Sequence, residues 1–188
     1  PQRREAGSGG VTLVDSFRGE ELTVANAAAT AEAAIQTAME HLDRTLLGMD
    51  CLVLGFGRIG RLLAHRLHGL GARVTVAARK PPDLAWVRAY GWQALATDRL
   101  RGHLDGFGTV FNTVPALILD RALLAELPKH CLCVDLASTR GMDLAAAEEL
   151  ELPHIWARAL PGRMVPVAAA EAIRDTIAYI LKERGDPM

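Results

Sequence analysis

Three glycines that follow a short apolar run have the clearest chemical meaning in this sequence. Residues 51–54 are apolar, Gly55 follows, and Gly57 and Gly60 complete a G-x-G-x-x-G pattern that opens an amphipathic segment. A buried strand, a tight turn and a helix N-terminus are typical of this order. The first glycine permits the turn, the second lets a pyrophosphate approach the backbone, and the third lets helix and strand pack closely. We therefore predict a dinucleotide site, with a ligand-free glycine turn as the alternative. The predicted contact residues of the turn are Gly55, Phe56, Gly57, Arg58 and Ile59.

Two adjacent cations follow the second predicted strand, where the adenosine ribose of a bound dinucleotide is expected. An NAD site usually has Asp or Glu at this point, but this chain has Arg79 and Lys80 and no acid at the strand end. Guanidinium and ammonium groups are suitable donors to a 2′-phosphate. We predict NADP as the cofactor. The alternative is NAD, with both cations simply solvated.

Two later strand ends add polar groups on the expected nicotinamide side. Thr113, Val114 and Pro115 follow one strand and offer a hydroxyl, backbone amides and a rigid proline. Asp135 ends the next apolar strand, and Ala137 follows it. We expect all five residues to contact the cofactor. For Asp135 the alternative is a cap for the next segment.

Candidates for acid–base or metal chemistry are few. Glu32 and Ser138 are the only acid or base candidates that we single out, so the catalytic residue is unassigned. His65 and His68 lie three residues apart on a predicted helix, but no third ligand is close in sequence. A solvated helix face explains this pair better than a metal, and we predict no metal site.

Alternating strands and helices position these residues. Strands are predicted at 51–54, 73–78, 92–95, 109–112, 131–136 and 154–157, with a further short strand at 11–17. Helical segments are predicted at 58–70, 81–90, 98–104, 119–127 and 143–150, and longer helices at 28–47 and 165–184. This alternation predicts an α/β fold, a Rossmann-type doubly wound parallel sheet with extra N- and C-terminal connecting helices.

The expected organisation has four parts. Residues 1–25 are a linker or the remnant of an N-terminal lobe, 26–48 a connecting helix, 49–163 the dinucleotide-binding domain, and 164–188 a C-terminal helix. The first residue is Pro1, which suggests that the chain has lost residues at its N-terminus.

Composition limits the partners and the compartment. The 188 residues are half hydrophobic and carry a formal net charge of −1, which gives no electrostatic reason to expect nucleic acid or an anionic membrane. No apolar run reaches the length of a membrane span. The odd count of three cysteines, without a C-x-x-C pair, predicts reduced thiols and a cytoplasmic protein.

Six stretches, in this order, resemble the A subunits of dipicolinate synthases, which act in sporulation. They are residues 26–35, 53–58, 71–79, 111–116, 135–138 and 160–162. The glycine turn is common to many dehydrogenases, whereas N-T-V-P, D-L-A-S and L-P-G at these separations are much more specific.

The resemblance implies a two-lobed protein whose second lobe is this chain. It implies NADP-dependent oxidation of a dihydrodipicolinate-type intermediate to pyridine-2,6-dicarboxylate, together with a second, flavoprotein-like subunit. We expect a small dicarboxylate substrate and a homo-oligomer. The alternatives are a nucleotide-binding regulatory or scaffold subunit without chemistry of its own, and a 2-hydroxy-acid-type dehydrogenase.

The chain departs from the family pattern near the expected substrate entrance. After Pro166 the family carries Lys-Thr, but Val167 and Ala168 stand here. The loop after Ser138 is one residue shorter, and Ala29 and Ala33 replace a proline and a glycine. A dianionic substrate requires cations. The arginines that could supply them are Arg58, Arg140, Arg158 and Arg163.

Overall fold

A six-stranded, wholly parallel sheet forms the centre of the protein. The structure is a computed structural model that describes residues 20–158 and 160–184, so the strand predicted at 11–17 lies outside the described residues. The strand order is β3-β2-β1-β4-β5-β6, which is the Rossmann order with its switch point between β1 and β4. Every neighbouring pair is parallel. The strands are β1 Asp50–Leu54, β2 Arg73–Ala78, β3 Gln93–Ala96, β4 Thr109–Asn112, β5 Leu132–Asp135 and β6 His154–Trp156.

Helices cover both faces of the sheet. They are α1 Glu20–His41, α2 Arg58–Gly69, α3 Pro81–Ala89, α4 Arg121–Leu124, α5 Leu144–Glu149, α6 Leu160–Met164 and α7 Pro166–Arg184. Within the described part of the chain, none is both long and apolar enough to cross a bilayer.

The alternation along β1 divides the core into two layers. Cys51 and Val53 point into a cluster with α1, α2 and α3, while Leu52 and Leu54 point into a cluster with the α4 and α5 region. All four are fully buried. In a sheet that is buried on both faces, each strand has a continuous apolar sequence rather than an alternating one. The predicted fold class is confirmed.

Three helices differ from the sequence prediction. α1 begins at Glu20 instead of residue 28, and it ends at His41 instead of residue 47. α4 is only four residues long, because Asp120 caps it through the backbone amide of Leu123 and the following segment forms turns. The helical segment predicted at 98–104 is only a short 3-10 helix at Thr97–Arg99. The C-terminal helix predicted at 165–184 is found as α7, and residue 165 separates it from α6 because Pro166 restricts the residue before it.

Candidate functional site

The glycine turn connects the carboxyl end of β1 to α2, and its three glycines have different roles. Gly55 has φ 99°, and a Cβ there would lie 2.5 Å from the Thr113 hydroxyl oxygen. A Cβ on Gly60 would overlap the carbonyl oxygen of Gly55. Next to Gly57 there is open space, with no heavy atom within 4 Å of an added Cβ. The fold itself therefore requires the first and third glycines, while the second leaves room for a ligand.

The N-terminus of α2 has no side-chain cap. Gly57 occupies the N-cap position in an extended conformation, makes no side-chain cap hydrogen bond, and no acidic residue lies in the first turn. The first backbone N–H groups of a helix lack intrahelical partners and lie at the positive end of its dipole. This twelve-residue helix therefore presents the kind of terminus that binds phosphate groups.

Two clefts flank the glycine turn and share Gly55, Phe56, Gly57 and Val114. The β4-side cleft, of about 420 Å³, lies between the turn, the end of β4 and the start of α1. The β2-side cleft, of about 370 Å³, lies between the turn and the ends of β2 and β3. Their remaining lining residues include Asn26, Ala27, Arg58, Ile59, Thr113 and Pro115 on the β4 side and Arg61, Arg79, Lys80, Asp83 and Thr97 on the β2 side.

The β2-side cleft contains both predicted cations and a third that sequence analysis missed. Arg79 and Lys80 are exposed, and neither forms an ion pair with another described residue. Arg61 lies over the Phe56 ring at 4.7 Å and donates to the Phe56 carbonyl at 3.1 Å. The spacing of Arg61 three residues after Arg58, on one helix face, was the available signal.

An acid that the sequence analysis did not place also lines this cleft. Asp83 lies in the first turn of α3, with its carboxylate 3.7 Å from the Arg61 guanidinium. No acid ends β2 itself, as predicted from the sequence. The cleft therefore combines three cations with one carboxylate, which the arginine partly neutralises.

Arg58 is already engaged by a carboxylate. Its Nε and Nη2 atoms donate to the two carboxylate oxygens of Glu20 at 2.8 Å and 2.5 Å. These charge-assisted bonds hold the pKa of Glu20 below its usual range. Arg58 stands at the entrance of α2, where an anion would bind, but its guanidinium has a partner from α1.

Thr113 is placed beside the turn, but its hydroxyl faces the protein. The hydroxyl donates to the Leu54 carbonyl at 2.8 Å, and the backbone amide donates to the same oxygen at 3.0 Å. The Val114 amide donates to the Asn112 side chain at 3.1 Å. Pro115 is exposed on the cleft rim. These residues shape the β4-side cleft through backbone and apolar surface, while the Thr113 hydroxyl is already used.

Asp135 is fully buried, and its carboxylate is occupied by protein donors. One oxygen accepts from the Asn112 amide at 2.8 Å and from the backbone of Ala137 at 3.1 Å, and the other accepts from Gly141 at 2.7 Å. The predicted contact of Asp135 with a cofactor therefore stays a prediction, since both carboxylate oxygens already accept from protein donors. Asp135 fixes the loop after β5, close to its alternative role as a cap. Its partner Asn112, directly opposite on β4, was missed because strand order is needed to pair them.

The two acid–base candidates lie apart from the glycine turn. Glu32 forms an ion pair with Arg66 at 2.9 Å and lines a groove between α1 and α7 rather than either cleft. Ser138 is exposed in the loop after β5, whereas Ala137 is buried. The structure does not bring these two candidates together. The catalytic residue remains unassigned.

Cysteines and histidines add no chemistry that the structure supports. All three cysteines are free and buried. Burial raises the pKa of the Cys51 thiol to about 12, so it stays protonated at neutral pH. Among the described residues, no three His, Cys, Asp or Glu side chains converge as a metal site would require.

Comparisons with known proteins agree with the resemblance found in the sequence. No protein-family model matches the chain. It is 33% identical over 172 residues to the A subunit of dipicolinate synthase from Bacillus subtilis, covering 91% of this chain and 58% of that protein. The crystal structure of the A subunit of dipicolinate synthase from Bacillus halodurans superposes with a TM-score of 0.87 at 33% identity, covering 90% of this chain and 59% of that one.

A more distant neighbour supports the fold alone. An L-alanine dehydrogenase superposes with a TM-score of 0.67 at 15% identity, over 90% of this chain and 56% of that one. The chain spans less than two thirds of the length of each of these proteins. By sequence and by fold, the predicted resemblance is thus confirmed: over nine tenths of its length, the chain is a relative of the A subunits of dipicolinate synthases.

Proposed function

We propose that this chain is the nucleotide-binding part of an NADP-dependent oxidoreductase that converts a dihydrodipicolinate-type intermediate to dipicolinate. The observation that carries the proposal is the uncapped N-terminus of α2 at an open Gly57, between two clefts. Similarity to the A subunits of dipicolinate synthases supports the substrate. A bound nicotinamide would supply the acceptor for the two electrons that the substrate ring loses on aromatisation.

The chain's own residues fit a dinucleotide that crosses the glycine turn. The pyrophosphate would lie at Gly57 and the first amides of α2, and the 2′-phosphate would lie near Arg79, Lys80 and Arg61 in the β2-side cleft. The nicotinamide would then occupy the β4-side cleft beside Val114 and Pro115. The protein would contribute mainly by orientation, a term that can lower a barrier by about 7–11 kcal/mol.

The remaining expectations belong to the same proposal. The domain boundaries at 26–48, 49–163 and 164–188 are retained as a prediction. The relatives are named as A subunits, which supports a partner in the form of a second subunit, and we expect a homo-oligomer. Three buried, free cysteines are consistent with a reducing cytoplasm.

Calorimetric titration of NADP and NAD into the parent protein tests the cofactor. We expect tighter NADP binding, because three cations face the β2-side cleft. Replacing Arg79→Asp should weaken NADP binding by about tenfold or more, since a charge-assisted contact is lost and repulsion is added. Arg101→Asp is the matched control, because Arg101 is exposed and lines neither cleft. Equal affinities of the parent for the two cofactors would refute the 2′-phosphate assignment.

Turnover separates the catalytic proposal from a regulatory one. If the chain binds NADP but shows no dicarboxylate oxidation, alone or with a second subunit, then a nucleotide-binding scaffold explains it better. Oxidation of a 2-hydroxy acid instead would favour the dehydrogenase alternative.

A further inference from the structure

Two arginines near the end of the sheet share one tryptophan. Trp156 ends the edge strand β6, and the guanidinium carbons of Arg140 and Arg158 lie 4.5 Å and 4.8 Å from its ring centre. A cation–π contact at this range orients a guanidinium and leaves its N–H donors available. One indole ring therefore holds two sets of donors at one place.

These two cations have no counter-charge in the described structure. Both are exposed, and neither forms an ion pair with any carboxylate in residues 20–158 and 160–184. Because both lie within 5 Å of one ring centre, their charges are less than about 10 Å apart and repel each other. An anion that accepts hydrogen bonds from both guanidinium groups would offset that repulsion and gain charge-assisted hydrogen bonds.

The loop that carries Arg140 is tied to β5 and β6. The buried Asp135 carboxylate accepts from the backbone of Gly141, and the Trp156 indole N–H donates to the Ala137 carbonyl at 3.2 Å. A Cβ on Gly141 would overlap the Asn112 amide, so the loop approaches β4 as closely as a glycine allows. The anchors on either side of Arg140 are therefore preorganised.

The arginine pair and the β4-side cleft both lie at the carboxyl ends of the strands. β5 pairs with β4 on one side and β6 on the other, and adjacent strands are about 4.8 Å apart, so the ends of β4 and β6 are separated by roughly 10 Å. Gly141 also borders the Val114 carbonyl, and Val114 lines both clefts. A small ring compound bound beside a nicotinamide in the β4-side cleft would lie within reach of the pair.

We propose that Arg140 and Arg158, held on Trp156, form a carboxylate-binding subsite for the substrate. The inference rests on the proposed function for its substrate class, a small cyclic dicarboxylate that becomes aromatic on oxidation. Arg58, another candidate cation, is neutralised by Glu20, and the apolar Val167 at the start of α7 provides no charge. The pair thus supplies positive charge at this edge of the sheet that no described carboxylate offsets.

Calorimetry on the full chain, with NADP present, tests the subsite using pyridine-2,6-dicarboxylate as the probe. Arg140→Gln and Arg158→Gln should each weaken binding about tenfold, and the double variant should weaken it further, since each removes a charge-assisted contact. Arg101→Gln, the exposed control, should bind like the parent. Pyridine-2,6-dicarboxamide, a neutral probe of similar shape, should bind weakly to every variant.

Two results would overturn the subsite. One is a parent protein that does not bind the dicarboxylate at millimolar concentration, and the other is a double variant that binds it as tightly as the parent. NADP affinity, measured on the same samples, should be equal in all variants. This measurement distinguishes failure of the subsite from failure of the proposed function. If the parent binds the dicarboxylate through these arginines but binds no NADP, the subsite stands and the proposed function fails.

Discussion

Cavities of similar size but different electrostatics lie at the two ends of the parallel strands, which we call the amino edge and the carboxyl edge of the sheet. At the amino edge, a cavity of about 320 Å³ is lined by Arg44 and Arg73, and both are paired. Arg73 donates to both carboxylate oxygens of Asp50, at 2.8 Å and 2.5 Å, and Arg44 lies 3.7 Å from Asp43. At the carboxyl edge, within the residues that the structure describes, most of the cations have no carboxylate partner. The cations without an ion pair there are Arg79, Lys80, Arg140 and Arg158.

Unpaired charge, rather than cavity volume, therefore distinguishes the candidate site. All six strands point their carboxyl ends to one edge, where the N-terminus of α2 adds partial positive charge. Cations that repel one another there favour an anionic ligand. Arg58, paired with Glu20, and Arg61, which lies 3.7 Å from Asp83, are the exceptions at this edge.

We expect the largest effects in the glycine turn, where one glycine is required for folding and another for ligand binding. Gly60→Ala should destabilise the protein by about 3 kcal/mol, because the new methyl group overlaps the Gly55 carbonyl and the backbone must shift. Gly57→Ala should change the free energy of unfolding by about 1 kcal/mol or less, since its Cβ enters open space. It should nevertheless weaken dinucleotide binding by about tenfold or more, because we propose that the pyrophosphate occupies that space.

Urea denaturation and calorimetric titration measure these two quantities. Gly69→Ala is the control, because its Cβ also meets no atom within 4 Å and it lies at the far end of α2. This variant should keep both stability and affinity. Unchanged affinity in Gly57→Ala would remove the carboxyl edge from consideration as the phosphate site.

Asp135 at the carboxyl edge and Asp50 at the amino edge should contribute differently to stability. Asp135→Asn should destabilise the protein by about 3 kcal/mol, because the new amide nitrogen meets protein N–H donors where an oxygen accepted from them. Asp50→Asn, at the amino edge, should destabilise it by about 0.2–1 kcal/mol, since its pair with Arg73 is largely exposed and screened. Equal losses in urea denaturation would contradict the buried role that we give to Asp135.

The smallest effect is the pH dependence of the amino-edge pair. Hydrogen bonds from Arg73 hold the pKa of Asp50 below its ordinary value. The unfolded chain therefore binds this proton more readily, so the stabilisation is present above about pH 4 and is lost as the pH falls through the folded pKa. In Asp50→Asn this part of the acid dependence should disappear, by about 1 kcal/mol or less. Denaturation curves collected from pH 6 down to the acid limit of folding would show it, and identical pH slopes in the two proteins would contradict it.

Much of the fold was predictable because its signals are local. The bounds of β2 and β4 were predicted to the residue, since a buried parallel strand requires an apolar run followed by a turn. Helix ends were less accurate. α1 extends back to Glu20, where Glu20 and Glu21 provide an acidic first turn that the prediction from residue 28 did not use. α4 is short because its cap and turns depend on neighbouring loops.

Residue types and short spacings were enough to predict the strand–helix alternation, the glycine turn and the cations near the ends of the strands. Only the tertiary structure decided which charges meet. It placed Asp135 against Asn112 and Glu20 against Arg58, and it brought Arg140 and Arg158 to one tryptophan. Asp135 and Asn112 are 23 residues apart, Glu20 and Arg58 are 38 apart, and Arg140 is 16 residues from Trp156, so these partners belong to different strands, helices or loops. Whether they neutralise one another or stay free for a ligand therefore follows from strand order and side-chain direction, which no local pattern encodes.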